Sequence, residues 1–199
     1  MVRIEPPPPS RSVHPVFHAL PEGARLLRIY DPGRWNNTAL TFRCIGGPLL
    51  RFDHHLSPED QSRGIHYSAP TLEGCVVEVF GDDGFICAGE RRLGSLLLKR
   101  SLRLLDLRGE GAWRAGATAA ICSSTLPRQS QPWARFFYES DTDLDGLLYS
   151  NAHNAADAVA LFERAEDALL VENDLPLTDP RLRLRLLAAA KALQLIFID

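Results

Sequence analysis

The chain has 199 residues, of which 45% are hydrophobic and 24% charged, and its formal net charge is −3. This length and composition fit one domain with a hydrophobic core of its own. The slightly negative balance excludes the basic field with which proteins hold the phosphates of nucleic acids, so we expect no direct nucleic-acid partner.

The cysteines and the hydropathy of the sequence indicate the cellular compartment of the protein. Cys44, Cys75, Cys87 and Cys122 show no pair at the C-x₂₋₄-C spacing of a zinc site, so we expect free thiols in a reducing cytosol and no metal. No run approaches the roughly 18 apolar residues that a transmembrane helix needs. The sequence therefore predicts a cytoplasmic protein without a membrane partner.

The N-terminal end is rich in proline. Residues 1–19 include the run from Pro6 to Pro9, which favours extended polyproline geometry, and we interpret them as an arm. Residues 20–199 are predicted to form a single domain that includes a C-terminal helix. Its first element is a strand at Arg25–Tyr30, closed by the turn signal Asp31-Pro32-Gly33.

A polar stretch with little periodicity follows at residues 34–64. We interpret it as a long loop, and a loop of this length inside a compact domain is usually functional. His54 and His55 lie within it. Because adjacent residues of an extended loop point in different directions, we predict a polar loop near a ligand, or a solvated loop, rather than a metal site.

The rest of the chain mixes short strands with helices. Thr71 is a candidate N-cap for a helix at Leu72–Phe80, and Asp179 followed by Pro180 starts a final helix. The other predicted elements are strands at Ile65–Ser68, 102–107 and Gly146–Ser150, a helix at 129–138 with Pro132 in its first turn, and a helix over 158–169 with Ala158, Phe162, Ala165 and Leu169 on one face. This order predicts an α+β fold, because a regular β-α-β rhythm is absent.

Four pieces of sequence, in their order along the chain, resemble the RES family, which is named for its Arg, Glu and Ser. They are LRI at 27–29, RFDHH at 51–55 with GIHY at 64–67, CVVEVF at 75–80, and DGLLYS at 145–150 with NAHN at 151–154. The stretch SQPWA at 130–134 is similar to a helical segment of the family. No G-x-G-x-x-G motif follows a strand, so a dinucleotide would bind on a scaffold other than the Rossmann fold.

The resemblance implies a fold, an activity and a partner. The fold is similar to that of ADP-ribosyltransferase toxins, a split β-sheet with surrounding helices and a cleft for NAD⁺. Characterised members deplete NAD⁺ or transfer ADP-ribose, and they are usually paired with a helix-turn-helix (Xre-type) antitoxin that blocks the cleft. Residue by residue, the resemblance implies that Glu78, Arg28 and Ser150 are catalytic and that Arg28, Arg51, Tyr67 and Ser150 bind NAD⁺.

These residue types suit cleavage of the nicotinamide–ribose bond. Loss of nicotinamide builds oxocarbenium-like charge on the ribose, and a carboxylate such as Glu78 stabilises that charge most in the transition state. Arg28 and Arg51 offer bidentate donors for the pyrophosphate. Tyr67 offers an aromatic face to the cationic nicotinamide, and Ser150 can donate to a ribose hydroxyl or hold Glu78.

Several alternatives stay open from the sequence. If the protein cleaves NAD⁺, the nucleophile is phosphate or water. A second hypothesis is an enzyme that transfers ADP-ribose to a host protein. A third hypothesis is an inactive module that binds a nucleotide or a partner. Outside the family pattern, Arg28 also fits a surface ion pair, Tyr67 a core aromatic residue, Ser150 a turn and Glu78 a solvated face.

Overall fold

The computed structural model describes residues 3–56 and 62–198. Residues 1–2 of the proline-rich arm, residues 57–61 of the long loop and residue 199 lie outside the described residues. Within the described part, no helix is both long and apolar enough to cross a lipid bilayer.

Strands and short helices alternate along most of the described chain. The strands are β1 (Phe17–Leu20), β2 (Arg25–Tyr30), β3 (Ile65–Ser68), β4 (Phe85–Cys87), β5 (Arg92–Leu98), β6 (Leu102–Asp106), β7 (Gly146–Ser150), β8 (Asp157–Phe162), β9 (Leu169–Pro176) and β10 (Ile196–Ile198). The α-helices are α1 (Leu72–Phe80), α2 (Gly111–Arg114), α3 (Pro127–Ser140) and α4 (Pro180–Leu193).

These strands form separate sheets. A five-stranded sheet has the order β1-β6-β7-β8-β3, a three-stranded sheet has the order β2-β5-β9, and β4 pairs with β10. In the five-stranded sheet β6 and β7 run parallel and the other neighbours run antiparallel. The mixed α+β fold predicted from the sequence is confirmed.

The two larger sheets share one core. Leu26 and Leu96 of the three-stranded sheet pack in the same buried cluster as Leu104, Leu148 and Leu161 of the five-stranded sheet. Each fully buried leucine stabilises the fold by roughly 1.5–3 kcal/mol relative to an exposed one, so this cluster holds the two sheets together. At one point the sheets also touch through their backbones, where β2 meets the residue after β3.

That contact is a pair of hydrogen bonds. The Leu27 amide donates to the Ala69 carbonyl at 2.7 Å, and the Ala69 amide donates to the Leu27 carbonyl at 2.9 Å. Beyond it the chain turns into α1. The Thr71 side chain accepts a hydrogen bond from the Gly74 amide at 3.1 Å, so the predicted N-cap is confirmed.

The buried faces of α1 and α4 pack on one another. Leu72, Val76 and Phe80 of α1 share a cluster with Leu182 and Leu186 of α4. The predicted start of α4 is also confirmed, because Asp179 caps it by accepting a hydrogen bond from the Arg181 amide at 2.9 Å.

The prediction of a helix over residues 158–169 is wrong. Residues 157–162 form β8, a 3₁₀ helix follows at Glu163–Ala168, and β9 begins at Leu169. In β8 every residue from Ala158 to Phe162 is buried, because the strand lies between β7 and β3 and is covered on both faces. A strand buried on both faces is a continuous apolar run, which fits a helical spacing by coincidence.

Two further differences concern the start of α3 and strands that the sequence did not predict. The helix predicted at 129–138 begins at Pro127, so Pro132 lies inside α3 rather than in its first turn. The sequence analysis also did not predict β1, which pairs with β6, nor the strands β4, β5, β9 and β10. Before β1 the chain lies against the helices, with the Trp133 indole donating to the Glu5 carbonyl at 2.8 Å.

Candidate active site

A cavity of about 960 Å³ lies where β2, β3, α1 and β7 come together. Its size falls in the range of about 300–1,000 Å³ that is typical of ligand pockets. Arg28, Arg51, Tyr67 and Glu78, predicted from the sequence as site residues, all line it. Ser150, the remaining predicted residue, is not part of the lining.

Glu78 reaches the cavity from α1. The i, i+3, i+4 spacing of one helix face brings Cys75, Glu78 and Val79 into the lining of the cavity. The Glu78 side chain is open to solvent there, yet the surrounding protein desolvates it enough to raise the pKa of its carboxyl. Arg51 opposes this rise. Glu78 is therefore a carboxylate that faces open space.

Arg28 lies on β2 in the wall of the cavity and is 9% exposed. Its guanidinium donates to the Thr41 carbonyl. Burial lowers the pKa of Arg28 to about 10, so the group stays protonated at neutral pH. Among the described residues it forms no ion pair with a carboxylate, which leaves a buried positive charge without a counter-ion.

Arg51 is a second guanidinium of this kind. It is half-buried, its Nε has no hydrogen-bond partner, and within the described chain it has no carboxylate at ion-pair distance. Two other arginines of the lining differ, because Arg43 is paired with Asp53 and Arg34 with Asp31. Arg91 also lines the cavity; its guanidinium donates to the Cys87 carbonyl and packs on the Phe80 ring. Arg28 and Arg51 are thus cations of the cavity wall that have no carboxylate at ion-pair distance within the described chain.

Tyr67 is held by its hydroxyl group. The hydroxyl accepts a hydrogen bond from the Phe52 amide at 3.0 Å and donates to Asp53 at 3.1 Å. Burial raises the pKa of Tyr67 well above its ordinary value, so it stays neutral. Asp53 is fully buried and also accepts from the amides of Leu49 and Leu50 at 2.6 Å. This network fixes the chain on both sides of Arg51.

Two buried histidines connect the long loop of residues 34–64 to the rest of the fold. His54 and His55 are both 0% exposed, so a solvated position for them is wrong. The Nε2 of His54 lies 3.3 Å from Glu163, and the Nε2 of His55 lies 2.9 Å from the Arg43 carbonyl. The described residues contain no group of three or more His, Cys, Asp or Glu side chains suited to a metal ion.

His66 fastens the early part of the same loop. Its Nε2 lies 2.9 Å from the Ala39 carbonyl, and its ring packs on Phe42 with 5.2 Å between ring centroids. Burial, together with the charge of Arg28, lowers the pKa of His66 to about 3, so the ring is neutral. Nothing in the polar character of residues 34–64 distinguished the buried His54 and His55 from solvated histidines.

The end of β7 contributes residues that the sequence reading missed. Tyr149 and His153 line the cavity, and burial, followed by the charge of Glu78, raises the pKa of Tyr149 well above its ordinary value. Successive strand residues face opposite sides, so Tyr149 and Ser150 cannot both point into the cavity. The pattern GLLYS allowed either phase, and the register of β7 with its neighbours selects Tyr149.

This arrangement suits an anionic ligand that reacts through a cation. Two uncompensated guanidinium groups bind phosphate or carboxylate oxygens, since charge-assisted hydrogen bonds of arginine are strong and directional. A carboxylate in the same cavity stabilises positive charge that develops on the ligand. The geometry thus combines anion binding with electrostatic stabilisation of a cationic transition state.

Comparisons with known proteins give a consistent result. The model of the RES domain matches residues 17–186. A protein of Sinorhizobium fredii described as "Probable toxin y4kH" is 30% identical over 87 residues, which are 44% of this chain and 68% of that protein. The crystal structure of the M. tuberculosis MbcT–MbcA toxin–antitoxin complex contains a similar chain, with a TM-score of 0.59, 18% identity, and coverage of 85% of this chain and 92% of that one. At this identity the last likeness shows the fold alone.

Proposed function

Because this chain belongs to the RES domain family, we propose that it is the toxin of a toxin–antitoxin pair and an enzyme that breaks the nicotinamide–ribose bond of NAD⁺ in the cytoplasm. The observation that carries the proposal is the single cavity in which Glu78 meets the uncompensated Arg28 and Arg51. The ADP-ribosyltransferase-like arrangement of the sheets is part of the same proposal, and it rests on the family resemblance.

Glu78 is the residue that acts on the reacting bond. As nicotinamide leaves, positive charge spreads over C1′ and the ring oxygen of the ribose, and an ionised carboxylate beside them stabilises this charge. Arg51, which lowers the pKa of Glu78, favours the ionised form against the effect of burial. Glu78 can also orient the incoming nucleophile through a hydrogen bond.

The two arginines bind the pyrophosphate. Arg28 is buried, and within the described chain its guanidinium has one hydrogen-bond partner, the Thr41 carbonyl, so a phosphate oxygen would supply a counter-charge. Arg51 offers an unpartnered Nε in the same cavity. The Tyr67 hydroxyl is already engaged in two hydrogen bonds that hold the ring in place, and the ring supplies an aromatic wall for the nicotinamide. Support for Ser150 is limited to the resemblance, since Tyr149 lines the cavity in its place.

Release of nicotinamide from NAD⁺ by the purified protein tests the activity. We expect turnover by the wild type and a loss of about 100-fold or more in Glu78→Gln, because the variant removes the charge that stabilises the transition state. Glutamine keeps the size of the side chain, and circular dichroism checks that both proteins are folded. Equal rates for the two proteins, or no nicotinamide from the wild type, would contradict the proposal.

The same assay identifies the nucleophile. With and without inorganic phosphate, the second product is either a phosphorylated ADP-ribose, which indicates phosphorolysis, or free ADP-ribose, which indicates hydrolysis. Labelled NAD⁺ incubated with cell lysate distinguishes both from transfer to a protein, which would give a labelled protein band. The nicotinamide–ribose bond is cleaved in all three reactions, which differ only in the group that accepts the ADP-ribose.

We propose a cognate helix-turn-helix (Xre-type) antitoxin as the protein partner, on the resemblance to the family. The structural neighbour from M. tuberculosis was crystallised as a toxin–antitoxin complex, which supports a partner of this kind. Co-expression with the protein encoded beside this chain tests it: the partner should relieve growth inhibition and suppress nicotinamide release. Inhibition that persists in its presence would count against this partner.

A further inference from the structure

His153 lines the cavity beside the C-terminal end of α1. The loop after β7 carries it there, and its backbone is held because its amide donates to the Oδ1 of Asn151 at 2.7 Å. The ring packs so closely on Gly81 that a Cβ at that residue would lie 2.9 Å from the ring atoms Cγ and Cδ2. The imidazole therefore occupies the space that a side chain at position 81 would need.

That space is next to Glu78. Gly81 has helical backbone angles, φ −61° and ψ −39°, and its amide donates to the Val77 carbonyl at 2.9 Å, so it continues the spiral of α1. Side chains three residues apart on a helix are neighbours, with about 5–6 Å between their Cβ atoms. The His153 ring thus lies one helical turn beyond Glu78, and both residues line the cavity.

Negative groups lie close to this ring. The Oδ1 of Asp82 is 3.5 Å from the Nε2 of His153, Glu78 is the carboxylate of the preceding turn, and the last carbonyls of α1 form the negative end of the helix dipole. The other titratable groups of the lining nearby are Arg51 of the long loop and Tyr149 of β7, which stays neutral because burial raises its pKa. Since Nε2 faces Asp82, Nδ1 is the nitrogen left to take up a proton from a ligand.

The ring also lies where the cavity opens to solvent. The side chain of Asp82 is 96% exposed and that of His153 is 32% exposed, and both line the cavity. Water and phosphate reach a bound nucleotide from solution. An acceptor that enters on this side meets the imidazole next to the reactive carboxylate.

The proposed reaction gains from a second group beside Glu78. The attacking water or phosphate has an O–H proton to lose as it bonds to the ribose. If Glu78 accepted this proton, it would lose the negative charge that stabilises the cationic ribose. A neutral imidazole can accept the proton while the carboxylate stays ionised.

We propose that His153 is the general base for the acceptor: its imidazole takes the proton of the water or phosphate O–H group that attacks the ribose. This inference rests on the proposed cleavage of NAD⁺. The oxygen of the acceptor bonds to C1′ while the bond from C1′ to the nicotinamide nitrogen breaks, and nicotinamide leaves as a neutral molecule with that electron pair. The proton moves to Nδ1 of His153 and from there to solvent.

The substitution His153→Gln tests this role, because glutamine is polar and of similar size but takes up no proton. His18→Gln is the matched control, since His18 is also half-buried but lies on β1, at the edge of the five-stranded sheet. We expect His153→Gln to lower kcat for nicotinamide release about 100-fold, with KM for NAD⁺ nearly unchanged. His18→Gln should leave both constants unchanged.

Two further readouts separate a base from a structural residue. The kcat of the wild type should fall as pH drops through the range of about 5–8 in which histidine becomes charged, and the kcat of His153→Gln should stay level there until Glu78 itself is protonated. In His153→Ala, added imidazole should restore part of the rate. An unchanged kcat, a rise in KM alone, or equal pH profiles would overturn the proposal. Normal nicotinamide release by His153→Gln would refute this role alone, whereas no release by the wild type would refute the proposed cleavage itself.

Chemical modification of the wild type keeps the proposal testable if the variants do not fold. Diethyl pyrocarbonate acylates accessible neutral imidazoles, so it should reach His153 and His18 before the fully buried His54, His55 and His66. We expect inactivation to follow the acylation of His153, as measured by mass spectrometry of its peptide, ADP-ribose to slow both, and hydroxylamine to reverse both. Full activity with an acylated His153, or equal acylation with and without ADP-ribose, would refute the role.

Discussion

The buried charge of Arg28 should make the free protein less stable than it would be without it. The residue is 9% exposed and has a single carbonyl as hydrogen-bond partner. Burial lowers its pKa to about 10, which corresponds to about 3 kcal/mol against the charged form in the folded state. Because the folded pKa lies below the unfolded one, this cost is fully present at neutral pH and falls as pH rises through about 10.

The substitution Arg28→Met removes the charge and keeps a flexible apolar chain in the space. It also leaves the Thr41 carbonyl without its donor, a loss of about 1 kcal/mol. We therefore expect the free energy of unfolding, measured by urea denaturation at neutral pH, to rise by about 1–2 kcal/mol. Arg92→Met is the contrasting variant, since Arg92 is paired with Asp174 at 3.0 Å and its loss should destabilise the protein.

The same variant should lose its response to ligand. ADP-ribose at 100 times its dissociation constant should stabilise the wild type by about 2.7 kcal/mol, and it should have much less effect on Arg28→Met because the diphosphate loses a counter-charge. A variant that is less stable than the wild type would refute the reasoning, since it would mean that the guanidinium is satisfied within the free fold. Equal stabilisation of both proteins by ADP-ribose would refute the assigned binding role.

Two further predictions concern stability. Although burial raises it, hydrogen bonds from His54 and Tyr138 lower the pKa of Glu163 to about 2, so its contribution is present above about pH 4 and lost as pH falls toward 2. Between pH 5 and pH 2.5 the free energy of unfolding should therefore fall by about 1–3 kcal/mol more in the wild type than in Glu163→Gln, and parallel curves would contradict this. Gly146→Ala should lower the free energy of unfolding in urea by about 1–3 kcal/mol, because the new Cβ would lie 2.4 Å from the Ala160 carbonyl oxygen of β8. An unchanged urea midpoint would show that β7 and β8 can shift apart to accommodate the methyl group.

Local signals made some elements predictable. Thr71 before the apolar face of α1 and Asp179-Pro180 before α4 mark helix starts through interactions within a few residues, so the sequence alone located both. Residues 158–169 failed because β8 is covered on both sides by other strands, and this burial depends on partners that are distant in sequence. Strands such as β5, which pairs with β2 and β9, carry the same difficulty.

The candidate site shows a similar division. The order of the motif pieces was enough to expect Arg28, Tyr67 and Glu78 at one place, and the structure brings them to one cavity. The resemblance led to the prediction of Ser150, whereas Tyr149 lines the cavity. Shifting a strand by one residue exchanges its faces, so only the register of β7 with β6 and β8 decides which of the two neighbours faces the cavity.

The backbone contact between Leu27 and Ala69 joins two parts of the cavity wall. It links the residue before Arg28 to the segment that leads into α1, the helix that carries Glu78. Arg51 is on the long loop, and that loop is joined to β3 by the paired backbones of Arg43 and Ile65 and by the hydrogen bonds of the Tyr67 hydroxyl. We therefore expect the distance from Arg51 to Glu78 to change little when a substrate binds.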